Sequence, residues 1–196
     1  MTTWWPYFRF AAAALGFAAI ARQLTLTLSN AANASTEWGG HLPTLMVNFF
    51  SYFTILSNFI TAVVLVIGGI WALRTRKSAD AEPVWLATLF ACSSTYMIVT
   101  GIVYNLLLRN IPLGGISDVW TNETLHVVIP LVMLADVLFA PRRRALGWST
   151  VFIAAIFPVV WAVYTLIRAN FVIGPATGNP WWYPYPFLDP HLTPGG

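Results

Sequence analysis

The two residues in this sequence best suited to catalysis are a threonine and a histidine that lie in long apolar segments. Thr54 lies in FSYFTILSN and His126 in LHVVIPLVMLAD. A hydroxyl is a weak nucleophile at neutral pH and needs an adjacent base, and histidine is the side chain that most often serves as one. Glu123 precedes His126 by three residues, so a helix would place its carboxylate one turn from the ring. A hydroxyl, a histidine and a carboxylate are the components of nucleophilic acyl transfer.

Other polar residues occur in the same apolar segments, and they are Arg22, Ser57, Asn58, Asn105 and Asp136. An ionisable group inside a membrane span is costly and marks a functional site by default. Asn58 follows Thr54 by four residues and shares its helix face, with Ser57 beside it. Either Asn58 or Asn105 could donate a hydrogen bond to a developing oxyanion, and Arg22 could hold a substrate carboxylate.

Each of these residues also has a structural interpretation. A threonine in a membrane helix usually bonds to the carbonyl four residues earlier, and a histidine can join two helices by a hydrogen bond. Ser57 and Asn58 can join helices in the same way. Glu123 can be solvated at the headgroup boundary, and Arg22 can extend outward to the interface. Asp136 lies near a run of three arginines and is expected to pair with a basic residue there.

Metal and cofactor sites are not predicted. His41 and His191 lie alone outside the apolar segments, and no cluster has the spacing of zinc ligands. The sequence contains neither a glycine-rich phosphate loop nor a CxxC pair. Cys92 is the single cysteine, which excludes an internal disulfide.

The elements that must position the polar residues are membrane-spanning helices. The chain has 196 residues, of which 58% are hydrophobic and 9% are charged. Soluble domains are about 45–50% apolar and about 25% charged. The net charge is +3, but the basic residues form short clusters between apolar segments, which is not the pattern of a nucleic-acid-binding surface. The predicted fold class is all-α, an integral membrane helical bundle forming one domain over residues 1–196.

Five segments reach the length of about 20 apolar residues that a bilayer requires. They are about 8–28, 43–73, 84–108, 119–140 and 148–172. The second is longer than necessary, so it is expected to tilt or to project past the surface. Residues 74–82 and 141–147 hold six of the ten basic residues, and such loops stay in the cytoplasm. The amino terminus is therefore also predicted to be cytoplasmic, in a multi-pass protein of the cell membrane.

The last segment, residues 179–196, differs from the rest of the chain. It has prolines at positions 180, 184, 186, 190 and 194, a spacing that excludes a helix. Its aromatic residues suit the outer membrane interface, where amphipathic rings accumulate. We expect an ordered aromatic cap over the outer side of the bundle.

Four segments together resemble the androgen-induced-protein family of multi-pass membrane proteins, in its bacterial branch. They are FSYFTILSN (50–58), YNLLLRN (104–110), LHVVIPLVMLAD (125–136) and PYPFLD (184–189), and the resemblance covers about residues 10 to 190. In animal members a threonine and a histidine are the catalytic pair of a hydrolase of fatty acid esters of hydroxy fatty acids. The resemblance implies that Thr54 and His126 are that pair here. Relatives usually carry a sixth span after the segment that resembles PYPFLD.

The leading hypothesis is an integral-membrane hydrolase of lipid esters, with Thr54 as nucleophile and His126 as base. Glu123 is the carboxylate expected to orient the His126 ring. The expected binding partners of the protein are membrane lipids and a lipid-ester substrate, and no nucleic acid is expected. Thr54 and His126 should point into one cavity, with the hydroxyl within hydrogen-bond reach of a ring nitrogen. One alternative is a non-catalytic lipid-binding or scaffold protein whose polar cluster joins helices. A transporter is a weaker alternative, because neither broken helices nor repeat symmetry is apparent.

Overall fold

The computed structural model describes residues 3–113 and 115–192 as an all-helical bundle. The helices are α1 (Trp5–Ala32), α2 (Leu42–Phe49), α3 (Phe53–Arg74), α4 (Val84–Val103), α5 (Val119–Glu123), α6 (Ile129–Phe139) and α7 (Ser149–Ala169). A π-helical turn extends α4 over Tyr104–Leu108, and another joins α5 to α6 over Thr124–Val128. Three short 3-10 turns lie at Trp38–Gly40, Pro186–Leu188 and Pro190–Leu192.

Five helical segments are long and apolar enough to cross a membrane, which confirms the predicted fold class. They are Trp5–Ala32, Phe53–Arg74, Val84–Leu108, Val119–Phe139 and Ser149–Ala169. The chain is therefore a multi-pass membrane protein. The first span is longer at both ends than predicted, and the last ends three residues earlier, at Ala169.

The second predicted span, 43–73, is not one helix. It is broken at residues 50–52 into α2 and α3, so the prediction of one continuous span over 43–73 is wrong, as is the expectation of unbroken helices. Tyr52 has an extended backbone, with ψ of 124°. Backbone groups exposed by a break in a membrane must find partners within the protein. Here the indole Nε1 of Trp161 donates to the Ser51 carbonyl at 2.9 Å, and the Ser51 hydroxyl donates to the Val47 carbonyl at 2.7 Å.

The core of the bundle lies where α1, α3, α4 and α6 pack together. Its fully buried members include Leu65, Phe90, Met97 and Met133. Close approach of α1 and α3 requires a residue without a side chain, because a Cβ at Gly69 would lie 2.8 Å from the Phe10 ring. α7 is peripheral and buries little more than its small residues, so it depends on α4 and on aromatic contacts with α3 for its position.

The two loops rich in arginine and lysine meet at one end of the bundle, here called the basic end. The Glu82 amide donates to the Arg142 carbonyl at 3.0 Å, and Arg144 donates to the Glu82 carbonyl at 2.7 Å. Residues 74–82 and 141–147 therefore lie on the same side, as the alternation of spans requires.

Asp136 lies buried beneath the basic end. It accepts hydrogen bonds from Arg9 and from the Trp5 indole at 2.8 Å each, and it contacts Arg143. The expected pairing of Asp136 with a basic residue is confirmed, and Arg9 from α1 is an additional partner. Burial lowers the pKa of the Arg143 guanidinium from its ordinary value.

The tail, here residues 174–192, covers the opposite end of the bundle. The Trp182 amide donates to the Ala169 carbonyl at 2.9 Å, and the rings of Trp181 and His191 stack at a centroid distance of 3.8 Å. Residues 179–192 of the predicted aromatic cap pack on this end of the bundle, and positions 193–196 of that prediction lie outside the described residues. The tail also contacts the start of α3, where the Thr54 amide donates to the Tyr185 hydroxyl.

Candidate active site

A cavity of about 800 Å³ opens at the end of the bundle covered by the tail. Its walls come from the ends of α1 and α2, the start of α3, residues 104–113 and 116–117, the helix that carries His126, and the tail. A second cavity of about 190 Å³ lies beside it, between α3, α4 and α7. Four residues with polar side-chain atoms line both cavities: Thr54, Tyr104, His126 and Tyr185.

Thr54 and His126 lie in direct contact at the junction of these cavities. The Thr54 hydroxyl oxygen is 3.2 Å from Nε2 of His126. The sequence prediction that both residues face one cavity within hydrogen-bond reach is therefore confirmed. Thr54 is the second residue of α3, so its hydroxyl does not make the usual bond to the carbonyl four residues earlier, which lies before the break.

The orientation of His126 is determined by its own helix. Nδ1 lies 2.9 Å from the carbonyl oxygen of Asn122. A carbonyl can only accept, so Nδ1 carries the hydrogen and the neutral ring presents the lone pair of Nε2 to Thr54. The ring also stacks on Tyr104 at a centroid distance of 4.3 Å. The α-helical pattern is interrupted here by the π-helical turn, and Pro130 has no N–H to offer the His126 carbonyl.

Glu123 does not orient the histidine ring, so that prediction is wrong. Both of its carboxylate oxygens lie 2.9 Å from Nη2 of Arg109 in an ion pair at the surface. The spacing of three residues made the contact with His126 available, but the arginine at the end of the preceding span attracts the carboxylate outward. Asn105 also faces outward, where its amide donates to the Gly101 carbonyl at 2.7 Å and accepts from Arg109. Asn105 therefore does not line the cavity as an oxyanion donor.

Arg22 is likewise directed away from the cavity. Its Nε lies 2.6 Å from the carboxylate of Asp118, and both side chains are partly exposed. The expectation that Arg22 holds a substrate carboxylate is not met by this arrangement. Among residues 3–113 and 115–192, no Asp, Glu, Lys or Arg side chain lines either cavity.

Ser57 and Asn58 contact the backbone carbonyl of Thr54 from the interior of the bundle. Asn58 donates to the Thr54 carbonyl at 2.9 Å and to the Leu125 carbonyl at 3.1 Å, which uses both hydrogens of its amide. Ser57 lies 3.2 Å from the Thr54 carbonyl and 3.3 Å from the Thr100 hydroxyl. Both are fully buried and neither lines a cavity, so the expected oxyanion role of Asn58 is wrong. Asn58 instead links the start of α3 to the helix that carries His126.

Besides His126, Tyr185 also contacts the Thr54 hydroxyl, and sequence reasoning did not predict it. Its phenol oxygen lies 3.2 Å from the Thr54 amide and 3.2 Å from the Thr54 hydroxyl. Burial raises the pKa of the Tyr185 phenol, which keeps it protonated at neutral pH. Burial also raises the pKa of Tyr52, whose ring packs against Tyr185, to about 12. The available signal was the placement of Tyr185 between Pro184 and Pro186, which restricts the backbone on both sides.

Comparison of the chain with protein-family models, with curated proteins and with solved structures finds no match. In the part of the chain that the structure describes, no group of three or more His, Cys, Asp or Glu side chains could hold a metal ion. The chemistry of the site is therefore inferred from its own side chains.

Proposed function

We propose that this protein is a membrane-embedded hydrolase of lipid esters, with Thr54 as nucleophile and His126 as general base. The observation that carries the proposal is the 3.2 Å contact between the Thr54 hydroxyl and Nε2 of His126. The Asn122 carbonyl occupies Nδ1, so Nε2 is the nitrogen that is free to accept a proton. Activation of a hydroxyl by an adjacent base is the general requirement for nucleophilic catalysis by threonine or serine.

The proposed reaction proceeds through an acyl-threonine. The Thr54 oxygen attacks the ester carbonyl carbon while its proton passes to Nε2 of His126, and the carbonyl electron pair moves onto oxygen. The tetrahedral intermediate collapses, the alcohol leaves, and His126 returns the proton to the leaving oxygen. Water then repeats the sequence on the acyl-threonine, with His126 again as base, and releases the carboxylic acid and free Thr54.

The shape of the site suits an apolar ester whose acyl and alcohol portions extend in two directions. Two cavities of about 800 and about 190 Å³ meet at the reactive pair, so the acyl and alcohol portions of one ester can occupy different cavities. Their lining is largely apolar, as in most sites for small molecules. A branched lipid ester partitions into the bilayer and can enter between helices. The resemblance of four segments to the androgen-induced-protein family points to the same class of substrate.

We further propose that the protein lies in the cell membrane with its basic end in the cytoplasm. The two loops that meet at the basic end carry six of the ten basic residues, and cytoplasmic loops are enriched in Lys and Arg. The site would then open at the outer side, beneath the tail.

A non-catalytic lipid-binding protein is the second candidate. The largely apolar cavity favours it, because the same space could hold a lipid that is never cleaved. In that case the contact between Thr54 and His126 only joins two helices. The break between α2 and α3 is a feature that transporters also use, so a transporter is a third candidate. Chemical reactivity of Thr54 separates the hydrolase from both.

The test is covalent labelling of the full chain in detergent by a fluorophosphonate, followed by mass spectrometry of the peptide that contains Thr54. Only an activated hydroxyl displaces fluoride from such a probe. We expect labelling at Thr54, loss of labelling in Thr54→Ala and in His126→Ala, and partial labelling in Thr54→Ser, which keeps the hydroxyl. The matched control is Thr61→Ala, because Thr61 is buried on the same helix away from both cavities. A folded wild-type protein that is not labelled at Thr54 would overturn the hydrolase proposal.

A further inference from the structure

We infer that Tyr185 of the tail is a further catalytic residue of this site, whose phenol donates a hydrogen bond to the Thr54 oxygen and directs the Thr54 proton at His126. This inference rests on the proposed hydrolase function. It assigns to the tail a part in the chemistry in addition to covering the cavity.

The direction of each hydrogen bond follows from the groups at the two ends of this hydrogen-bond network. At one end, Nδ1–H of His126 donates to the Asn122 carbonyl, so Nε2 can only accept and the Thr54 hydroxyl must donate to it. At the other end, the Thr54 amide can only donate, so the Tyr185 oxygen accepts from it. Thr54 has one hydroxyl hydrogen, which His126 takes. The contact between the two hydroxyls is therefore made by the hydrogen of Tyr185.

The helix start strengthens this donor. The backbone N–H of Thr54, the second residue of α3, donates to the Tyr185 oxygen at 3.2 Å. The N–H groups in the first turn of a helix have no partner within the helix, and they carry the positive end of its dipole. Donation to the phenol oxygen polarises the O–H bond, so Tyr185 becomes a stronger donor to Thr54.

Tyr185 is held rigidly enough to act in this way. Its ring stacks on Phe187 at 5.2 Å and 8°, and it meets Tyr52 and Trp161 edge-on at 5.7 and 6.1 Å. Only 8% of its surface is exposed. A group fixed by packing keeps its hydrogen bond in one geometry, which is what orientation of a nucleophile requires.

The consequence for the reaction concerns the lone pairs of Thr54. Tyr185 occupies one lone pair of the hydroxyl oxygen, and the hydrogen points to Nε2 of His126. The remaining lone pair is the one that forms the bond to the ester carbon, while the proton leaves for His126. Without Tyr185 the hydroxyl can rotate out of this alignment, which costs rate but not substrate binding.

The experiment compares the rate of fluorophosphonate labelling at Thr54 in wild type, Tyr185→Phe and Tyr183→Phe. Tyr185→Phe keeps the ring and removes the hydroxyl. We expect its rate at saturating probe to fall by about 10-fold or more, with half-saturation and thermal unfolding unchanged. Tyr183→Phe is the matched control, because its hydroxyl contacts Asn170 at 3.3 Å and lines neither cavity. Its labelling should match wild type.

A second measurement keeps the inference testable if Tyr185→Phe does not fold. Replacing Tyr185 by 3,5-difluorotyrosine keeps the ring and hydroxyl but makes the phenol ionise at lower pH. An ionised phenol cannot donate, so labelling should decline on the alkaline side at lower pH than in wild type.

The outcomes separate this inference from the hydrolase proposal. Wild-type labelling rates in a folded Tyr185→Phe protein, with labelling still lost in Thr54→Ala, overturn the role of Tyr185 and leave the Thr54–His126 pair standing. An unchanged alkaline decline in the fluorinated protein does the same. Absence of labelling in wild type overturns the hydrolase proposal, and the role of Tyr185 with it.

Discussion

Nδ1 of His126 donates to the carbonyl oxygen of Asn122 at 2.9 Å, so a backbone group of the same helix selects the tautomer that faces Thr54. In serine-type triads a carboxylate performs this task and also stabilises the imidazolium that forms. A carbonyl orients the ring equally well but carries no full negative charge. We therefore expect the imidazolium to be less stabilised here than in a site with a carboxylate.

Removal of either member of the proposed pair should abolish ester hydrolysis. We expect Thr54→Ala and His126→Ala each to lower kcat/KM for a p-nitrophenyl acyl ester by about 100-fold or more, because general base catalysis contributes factors of about 10² to 10⁴. The double variant should be no worse than either single one, since members of one catalytic unit are not additive. Steady-state kinetics of purified proteins measures this. Full activity in Thr54→Ala would leave only a structural role for that residue.

Glu123→Gln should leave hydrolysis almost unchanged. Its carboxylate pairs with Arg109 at the surface, and such pairs contribute about 0–1 kcal/mol to stability. We expect kcat/KM within about twofold of wild type, because the ring is oriented by the Asn122 carbonyl. His126→Ala measured in parallel is the reference for loss of the base. A loss in Glu123→Gln as large as in that reference would show that Glu123 acts through the ring after all.

The loops of the basic end should both be reachable only from the cytoplasm. The test uses a Cys92→Ala background with single cysteines introduced as Lys77→Cys and, for comparison, Ser35→Cys. Both replaced residues are exposed and lie in loops at opposite ends of α1 and α3. A membrane-impermeant maleimide added to intact cells should label the second variant and not the first. The reverse pattern would invert the proposed orientation.

Asp136→Asn should destabilise the bundle strongly. It would leave Arg9, which is 2% exposed, without its carboxylate partner. Breaking a buried pair by removing one member costs about 3–5 kcal/mol. Thermal unfolding in detergent should show a large drop, and the double replacement Arg9→Met with Asp136→Leu should recover much of it.

The matched control for that prediction is Asp118→Asn, whose partner Arg22 is 45% exposed. A surface pair of this kind contributes about 0–1 kcal/mol, so its removal should change unfolding little. Equal effects of Asp136→Asn and Asp118→Asn would contradict a structural role for the buried cluster.

Several features of the fold follow from local sequence alone. α4 begins at Val84, directly after Pro83, and the fourth span runs from Val119 to Phe139, within a residue of its prediction. These are predictable because the length of an apolar segment and the restriction imposed by proline are properties of neighbouring residues. The break at residues 50–52 was not predictable in this way, because that segment is aromatic and contains neither glycine nor proline. The Ser51 carbonyl at this break accepts its hydrogen bond from Trp161, which is 110 residues away in the sequence.

The same distinction between local sequence and tertiary structure applies to the candidate site. The sequence determined which hydroxyl and which imidazole lie at similar depth in the bundle, because depth depends on position along a helix. The partners of these residues were decided only by the tertiary structure. Spacing offered Glu123 to His126, but a surface arginine competes for that carboxylate, and a backbone carbonyl takes its place. Tyr185 contacts Thr54, which is 131 positions away in the sequence, because the tail folds back over the start of α3. There the Thr54 N–H, which has no partner within the helix, donates to the Tyr185 oxygen.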